Sequence, residues 1–200
     1  MLRPTAFLAC LAALGLAGCG VAFDNLRQDA VLDDASGDAI VVIGVQPRYR
    51  VAIARGLIAD GQVAIGGAAS INAYPEGGYI VGRLKAATFP SEYHIQLILP
   101  EGIGGFVPMY APCGHESVAS FAAPAGKVIY VGDVTFEREG AGMRLRYDED
   151  FAAARAFMQR SYPALAPKLE PQPLATRPIR PYDCQPAHIP VPIYIHVPAG

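Results

Sequence analysis

The sequence predicts a mainly β fold: an antiparallel β-sandwich of about 7–9 strands, with one helix late in the chain and a Pro-rich tail packed along the domain. Three observations carry this prediction. Short apolar runs recur at close, regular intervals with turn residues between them. The 200 residues include 21 Gly and 18 Pro, which suit the corners between short strands. One stretch alone has apolar residues at helical spacing.

The first strong apolar run, Ala39–Val45, does not alternate between apolar and polar residues. This pattern predicts a strand that is buried on both faces or central in its sheet. Further strands are predicted, in chain order, at Arg50–Ala54, Gln62–Ile65, Tyr79–Leu84, Tyr93–Leu99, Phe106–Tyr110, Ser117–Ala122, Lys127–Glu137 and Gly142–Tyr147.

The strand at Lys127–Glu137 alternates clearly enough to assign its faces, with Asp133 and Glu137 on the polar one. The turn Glu139-Gly140-Ala141-Gly142 predicts a hairpin in which Arg144 and Arg146 face these acids. We expect a solvated cross-strand pairing there rather than a binding site. The opposite face receives Val128, Tyr130, Gly132, Val134 and Phe136, joined on the next strand by Met143, Leu145 and Tyr147.

One helix follows, with Asp148 as the predicted N-cap and Pro163 as its end. We expect it to pack across one end or edge of the sandwich, since it carries a single apolar stripe. The stripe consists of Phe151, Ala154, Phe157 and Met158.

Residues 163–200 contain 10 prolines, which predicts polyproline II or an edge position. The segment is too apolar for a solvated tail. We therefore expect residues 164–200 to wrap the domain, with Ile193–Val197 as a late edge strand.

The amino terminus has the three parts of a secretory signal: a charge at Arg3, an apolar core over Ala6–Leu16, and small residues before a cysteine. The tetrapeptide Leu16-Ala17-Gly18-Cys19 resembles the lipobox of bacterial lipoproteins. That resemblance implies cleavage after residue 18, palmitate-type acylation of Cys19 and a place in the bacterial envelope. Gly20, where inner-membrane lipoproteins carry Asp, favours the outer membrane.

Cleavage before Cys19 leaves 182 residues with 15 basic and 18 acidic side chains. This weakly acidic, unclustered balance argues against nucleic acid as a partner and removes any electrostatic reason to lie on anionic lipid. Residues 19–38 are polar and aperiodic, which predicts a flexible tether after the lipidated cysteine. Residues 39–163 then form the domain.

Cys10 lies in the removed signal and lipid caps Cys19, so Cys113 and Cys184 remain. Two cysteines of an exported protein most often form a disulfide, and we predict that pair here. The alternatives are free thiols, or a metal-binding or redox site. Such a site would hold zinc or copper with Cys113, His115, Cys184 and His188.

No catalytic signature is evident in the sequence, which contains no Gly-x-Ser-x-Gly elbow. A nucleophilic pair of Cys113 with His115 conflicts with the predicted disulfide. The histidines His94 and His196 stand alone in strand-like runs, and hydrolysis would require either one to meet an acid in a cleft. The sequence therefore predicts a non-enzymatic protein without a cofactor.

The segments Phe121–Asp133 and Gly78–Leu84 resemble a family of uncharacterised bacterial lipoproteins, in which a Pro/Ala-Gly turn precedes a strand of the form Lys-Val-x-Tyr-x-Gly. The resemblance covers residues 39–163 and implies a prealbumin-like or carboxypeptidase-regulatory-like β-sandwich without implying an activity. The tail with Cys184 departs from the pattern. The expected function is a lipid-anchored module that binds or scaffolds another envelope protein or a cell-wall component.

Overall fold

Two β-sheets pack face to face in the computed structural model, which describes residues 25–65, 67–99, 117–139 and 142–180. An 11-residue helix, α1, spans Phe151–Ser161, and a 3-10 turn spans Ala166–Lys168. The strands are β1 (Asp38–Gln46), β2 (Arg50–Ala59), β3 (Gln62–Ala64), β4 (Ala69–Ala73), β5 (Tyr79–Lys85), β6 (Ser91–Leu99), β7 (Ser117–Phe121), β8 (Val128–Glu139), β9 (Gly142–Asp148), β10 (Leu169–Pro171) and β11 (Ala175–Pro178).

The first sheet has the order β10-β8-β1-β5, with β9 also paired to β8, and the second has the order β11-β7-β6-β2-β3, with β4 also paired to β2. The predicted mainly β sandwich is confirmed. The first sheet is mixed rather than purely antiparallel, because β8 runs parallel to both β1 and β10. The strands predicted at Phe106–Tyr110 and Ile193–Val197 lie outside the described residues.

Strand β1 is central in the first sheet and buried on both faces, as its sequence predicts. Val41 and Ile43 face the core between the sheets, while Ile40 and Val42 face the helix side. Val45, near the end of the same strand, also faces the core between the sheets. A strand covered on both faces needs apolar residues at every position, which accounts for the missing alternation.

The predicted face assignment of β8 is wrong beyond Tyr130, because the strand contains a bulge. Val42 pairs with Tyr130, but Gly44 pairs with Asp133, so β8 accommodates one extra residue at Gly132. Gly132 has φ +104°, which favours glycine. Tyr130 therefore points towards the helix, while the side chains beyond the bulge, Val134 and Phe136, point into the inter-sheet core.

Strands β8 and β9 form the predicted hairpin, with Glu137 opposite Arg144 and Thr135 opposite Arg146 in the backbone register. Arg146 forms ion pairs with Glu137 at 3.1 Å and with Asp148 at 2.8 Å. All three side chains of these ion pairs are about half exposed. The expected solvated pairing is confirmed for Arg146.

Helix α1 covers the outer face of the first sheet, so the prediction that it packs at an end or edge of the sandwich is wrong. Ala154, Phe157 and Met158 are buried against a cluster that includes Val81 and Tyr130. A sheet that is apolar on both faces must be covered on its outer face as well as on its inner one, and α1 covers the outer face. The N-cap is Asp150, whose carboxylate accepts the Ala153 N–H at 2.9 Å, rather than the predicted Asp148. The helix ends before Pro163, as expected.

Within the described residues no helix is long and apolar enough to cross a membrane.

Residues 25–37, which we expected to belong to a tether, instead pack against the first sheet. Leu26 N–H donates to the Val81 carbonyl at 2.8 Å, and Leu32 is buried with the helix-side cluster. The Tyr162 hydroxyl at the end of α1 donates to the Leu26 carbonyl at 2.8 Å. This segment supplies backbone and apolar partners to β5, which its polar composition did not reveal.

The described part of the tail, residues 164–180, runs along both sheets as predicted. β10 joins β8 at one border of the first sheet, and β11 joins β7 at one border of the second. Immediately after β11, Ile179 pairs in parallel with Val63 of β3. The two ends of the second sheet therefore meet.

Candidate functional site

The second sheet curls so that its outer face encloses a small second core. The bridge between Val63 and Ile179, together with a 3.0 Å bond from Arg180 N–H to the Val63 carbonyl, closes the curl. Val63, Val118 and Ile179 are buried there. We call this enclosed region the curled core; it is the one place where the described outer face of the second sheet is both apolar and closed.

Three polar side chains of the curled core form a connected group. Glu92 in β6 accepts two bonds from Arg177 in β11, from Nη2 to Oε1 at 2.6 Å and from Nε to Oε2 at 2.8 Å. The Ser120 hydroxyl in β7 donates to Oε2 of the same carboxylate at 2.8 Å. The Glu92 side chain is 8% exposed and that of Arg177 is 27% exposed, so the ion pair is largely withdrawn from water.

The charges of this pair are stabilised by each other. Hydrogen bonding from Arg177 lowers the pKa of Glu92 below its usual value, outweighing the rise that burial alone would cause, and Ser120 adds to the lowering. The bond to Glu92 raises the pKa of Arg177. Both groups are therefore ionised over the physiological range, as a bidentate arginine–carboxylate pair requires.

His94 lies on the same face of β6 as Glu92 and pairs across the strands with Ser120. It is completely buried, and neither ring nitrogen has a hydrogen-bond partner among the described residues. Burial lowers its pKa to about 4, so the imidazole is neutral at pH 7. Its Nδ1 lies against Gly56, where an added Cβ would come within 3.0 Å.

Serine, histidine and a carboxylate thus meet in the curled core, but their arrangement is not that of a catalytic triad. Such a triad needs the imidazole to accept from the serine and to donate to the acid. Here Ser120 donates directly to Glu92, and the carboxylate is already occupied by Arg177. The arrangement instead fastens β11 to β6 and β7.

A second polar group lies between the first sheet and the start of α1. The Tyr130 hydroxyl donates to Oδ2 of Asp133 at 2.8 Å and accepts the Asp150 backbone N–H at 2.9 Å. Burial raises the pKa of both Asp133 and Tyr130. The Asp133 carboxylate lies directly over Gly44, at a position that any Cβ on residue 44 would occupy.

The open depressions on the described surface include two that do not contain the polar groups just described. One is lined by Arg155, Gln159 and Pro167 near the end of α1, and the other by Tyr147, Glu149 and Leu174. Both are shallow and are bordered by few side chains, unlike the enclosed sites that bind small molecules.

Of the site residues predicted from the sequence, His94 alone lies in the described ranges. Cys19, Cys113, His115, Cys184, His188 and His196 lie outside them, so the predicted disulfide and its metal-binding alternative stay predictions. Among the residues that the structure describes, no three His, Cys, Asp or Glu side chains come close enough to hold a metal ion.

Sequence reasoning missed Glu92, Ser120 and Arg177. A weak signal for the first exists, because Glu92 and His94 alternate with the apolar Tyr93 and Ile95 and so share a face. Arg177 gives no local signal, since it stands in a Pro-rich segment 85 residues from its partner. Only the pairing of β11 with β7 brings the two together.

No family model matches the chain, and neither a curated protein nor a solved structure matches it. The resemblance to β-sandwich lipoproteins therefore stays an expectation.

Proposed function

We propose that this protein is a lipid-anchored, non-enzymatic β-sandwich of the bacterial envelope that binds or scaffolds another envelope component. The observation that carries the proposal is the lipobox-like Leu16-Ala17-Gly18-Cys19 at the end of an apolar segment. Acyl chains on Cys19 would hold the domain at a membrane, since two or more chains give stable attachment.

The hydrogen bonds among the described residues favour a rigid domain, which suits a role as a scaffold. The buried Glu92 carboxylate accepts from Ser120 and from the partly buried Arg177, and the Tyr130 hydroxyl binds both Asp133 and the Asp150 N–H. These bonds hold the tail strand and the helix against the sheets. In addition, Asn25 is bonded to the domain only six residues after Cys19, so the folded part would begin close to the anchor.

Lipidation is tested by expressing the full chain in a diderm bacterium with labelled palmitate. The wild-type protein and a Cys10→Ala control should incorporate the label and be cleaved before Cys19. The Cys19→Ala variant should incorporate none and keep its signal. Labelling of Cys19→Ala, or an unlabelled wild type, would contradict the anchor.

The binding role is tested by chemical crosslinking in intact cells, followed by purification of the lipidated chain from solubilised membranes. We expect the same envelope component to be recovered in repeated preparations. A protein that is recovered alone each time, with and without crosslinker, would rule out the scaffolding role.

A further inference from the structure

His94 is enclosed by contacts that depend on the last described strand. An added Cβ at Gly56 would come within 3.0 Å of His94 Nδ1 and within 2.8 Å of Val63 Cγ2, so the imidazole and the valine lie side by side over that glycine. Val63 is bridged in turn to Ile179, immediately after β11. If Ile179 leaves Val63, water therefore reaches the curled core next to the imidazole.

The segment that closes the curled core is short. We call residues 175–179 the closing segment. Its strand β11 has four residues, and one of them, Pro178, has no N–H to donate to a neighbouring strand. The strands that form the floor of the curled core are much longer, since β2 has 10 residues and β6 has 9. Because segments with few buried contacts open at a lower free energy than the whole fold, the closing segment opens first.

The closed curled core offers nothing to balance a positive charge on His94. The side chain is completely buried, and neither ring nitrogen has a hydrogen-bond partner among the described residues. The ionised groups of the same polar cluster are Glu92 of β6 and Arg177 of β11, which already neutralise each other. The described neighbours from β2, β3 and β7 carry no charge; they are Gly56, Val63 and Ser120.

The other charged groups of the packed elements give no counter-charge either. Arg55 of β2 lies on the inter-sheet side, where its Nε donates to Ser91 Oγ at 2.6 Å. Arg180, directly after the closing segment, is itself a cation. Burial is accordingly what lowers the pKa of His94, and no charged neighbour offsets it. A protonated imidazole can therefore be stabilised only by water, which the closed core excludes.

We propose that His94 is an acid sensor for the closing segment: protonation of its imidazole releases this segment from β7 and β3 and opens the curled core, while the two sheets stay packed. A proton from the solvent binds one ring nitrogen, and the opening hydrates the resulting cation. Deprotonation at neutral pH allows the segment to close again. The inference does not depend on acylation of Cys19, so its failure would leave the proposed function untouched.

Linkage gives the direction and the size of the effect. The pKa of His94 is about 4 in the closed form, whereas a histidine in contact with water titrates near 6.5. Between these values only the open form takes up the proton, so acid raises the equilibrium constant for opening. From pH 7 to pH 5 the constant should rise roughly 20-fold. Glu92 adds little in this range, because its usual pKa is 4.5 even when Arg177 has left it.

The test is native-state hydrogen exchange, measured by NMR on the full unaltered chain at pH 7, 6 and 5 in low concentrations of urea. The Arg180 N–H, which donates to the Val63 carbonyl at 3.0 Å, reports on the closing segment. The Ile40 N–H, which donates to the Lys127 carbonyl at 2.9 Å, reports on the first sheet. Once rates are corrected for intrinsic exchange at each pH, they give the equilibrium constants for opening. The urea slope separates local opening from global unfolding, since it scales with the surface exposed.

We expect the Arg180 amide to exchange through an opening that has a smaller urea slope than that of Ile40. The equilibrium constant for this opening should rise roughly 20-fold between pH 7 and pH 5. Exchange of Arg180 only through global unfolding, with the urea slope of Ile40, would overturn the inference. A local opening that does not respond to pH would overturn it as well.

Two variants of one residue identify the titrating group. His94→Leu and His94→Gln both lack a group that titrates, and His94→Gln keeps a polar side chain; each should abolish the rise between pH 7 and pH 5. His196→Leu is the matched control and should retain it. A rise that persists in a folded His94 variant, or that disappears in His196→Leu, would assign the sensor to another group.

The imidazole resonances of the unaltered protein provide a measurement that needs no variant. The ring of His94 should stay neutral in the closed form throughout the range from pH 7 to pH 5, because its pKa there is about 4. A His94 ring that titrates near 6.5 while exchange at Arg180 stays constant would show that the closed core tolerates the charge, and the inference would be wrong.

Discussion

The Arg177 guanidinium binds the Glu92 carboxylate through two hydrogen bonds of 2.6 and 2.8 Å. These bonds join β11 to β6, although the two residues lie 85 positions apart in the chain. β11 has only four residues, of which two are exposed. Apolar contacts along so short a strand are few. The ion pair therefore adds a polar side-chain link between the tail and the second sheet to the packing of Ile179 against Val63 and Val118.

Replacing Arg177 with alanine should destabilise the fold by about 2–3 kcal/mol, because it leaves the Glu92 carboxylate buried without its partner. The free energy of unfolding is measured in urea at pH 7. Lys127→Ala is the control: it removes the exposed pair with Glu170 and should cost less than about 1 kcal/mol. Equal losses in the two variants would show that burial of Glu92 does not matter.

Replacing His94 with leucine should remove a pH dependence of stability. The pKa of His94 is about 4 in the folded protein, against 6.5 when unperturbed, so between these values only the unfolded chain takes up the proton. The contribution of neutral His94 to the free energy of unfolding is complete above pH 6.5 and is lost as the pH falls towards 4. The loss is on the order of 3 kcal/mol.

Urea unfolding of the wild type and of His94→Leu at pH 7 and pH 5 measures this effect. At pH 7 the two proteins should differ little, because leucine replaces nitrogens that have no partner among the described residues. At pH 5 the variant should be the more stable. A wild-type slope that persists in the variant would assign the dependence to other groups.

Replacing Gly44 with alanine should destabilise the protein by roughly 2 kcal/mol, because the new Cβ takes the place of the Asp133 carboxylate. The displaced carboxylate would also lose its bond from Tyr130. A double-mutant cycle with Asp133→Ala checks the cause by urea unfolding. The penalty of Gly44→Ala should shrink in the Asp133→Ala background, and an unchanged penalty would exclude a clash with Asp133.

Replacing Asn25 with alanine should free the start of the packed segment. The Val81 N–H and the Tyr74 carbonyl each lose a partner, at a cost of about 1–2 kcal/mol. Hydrogen exchange at Val81 should become faster. Arg27→Ala, which removes a well-exposed ion pair, should leave that amide unchanged. If both variants speed exchange alike, then Asn25 does not secure the segment.

Counting thiols in the denatured protein distinguishes a disulfide between Cys113 and Cys184 from a metal site. No reactive thiol should be found before reduction of the lipidated chain, and two should appear after it. Two reactive thiols before reduction, together with bound zinc or copper, would favour the metal site with His115 and His188. A thiol count of two without metal would contradict both.

Local patterning was sufficient to predict the elements that depend on it. The unbroken apolar run at Ala39–Val45 indicated a strand covered on both faces, and the stripe over Phe151–Met158 indicated α1. Local patterning was insufficient where the backbone departs from regular geometry. The bulge at Gly132 reverses the faces of β8 for the residues beyond it, and nothing in the alternation of neighbouring residues marks it.

The candidate site was largely hidden from the sequence. In the sequence His94 stands alone in a strand-like run, whereas the structure buries it beside Glu92 and Ser120 without a hydrogen-bond partner for its ring among the described residues. Its neighbours come from β7 and β11, and the curl that encloses them depends on contacts such as that of Val63 with Ile179. Contacts between residues so far apart in the chain leave no local pattern in the sequence. The grouping of His94 with its neighbours could therefore not be predicted from the spacing of residues.

The bridge between Val63 and Ile179 can form only late in the synthesis of the chain. A ribosome delivers β3 more than 100 residues before the strand that completes its sheet. Until then the emerging chain carries an open border with a hydrophobic concavity, which is the kind of intermediate that aggregates or recruits a chaperone. The segment that closes the sheet, Ala175–Ile179, is thus synthesised after all the other strands of that sheet, and the border of β3 stays open until it arrives.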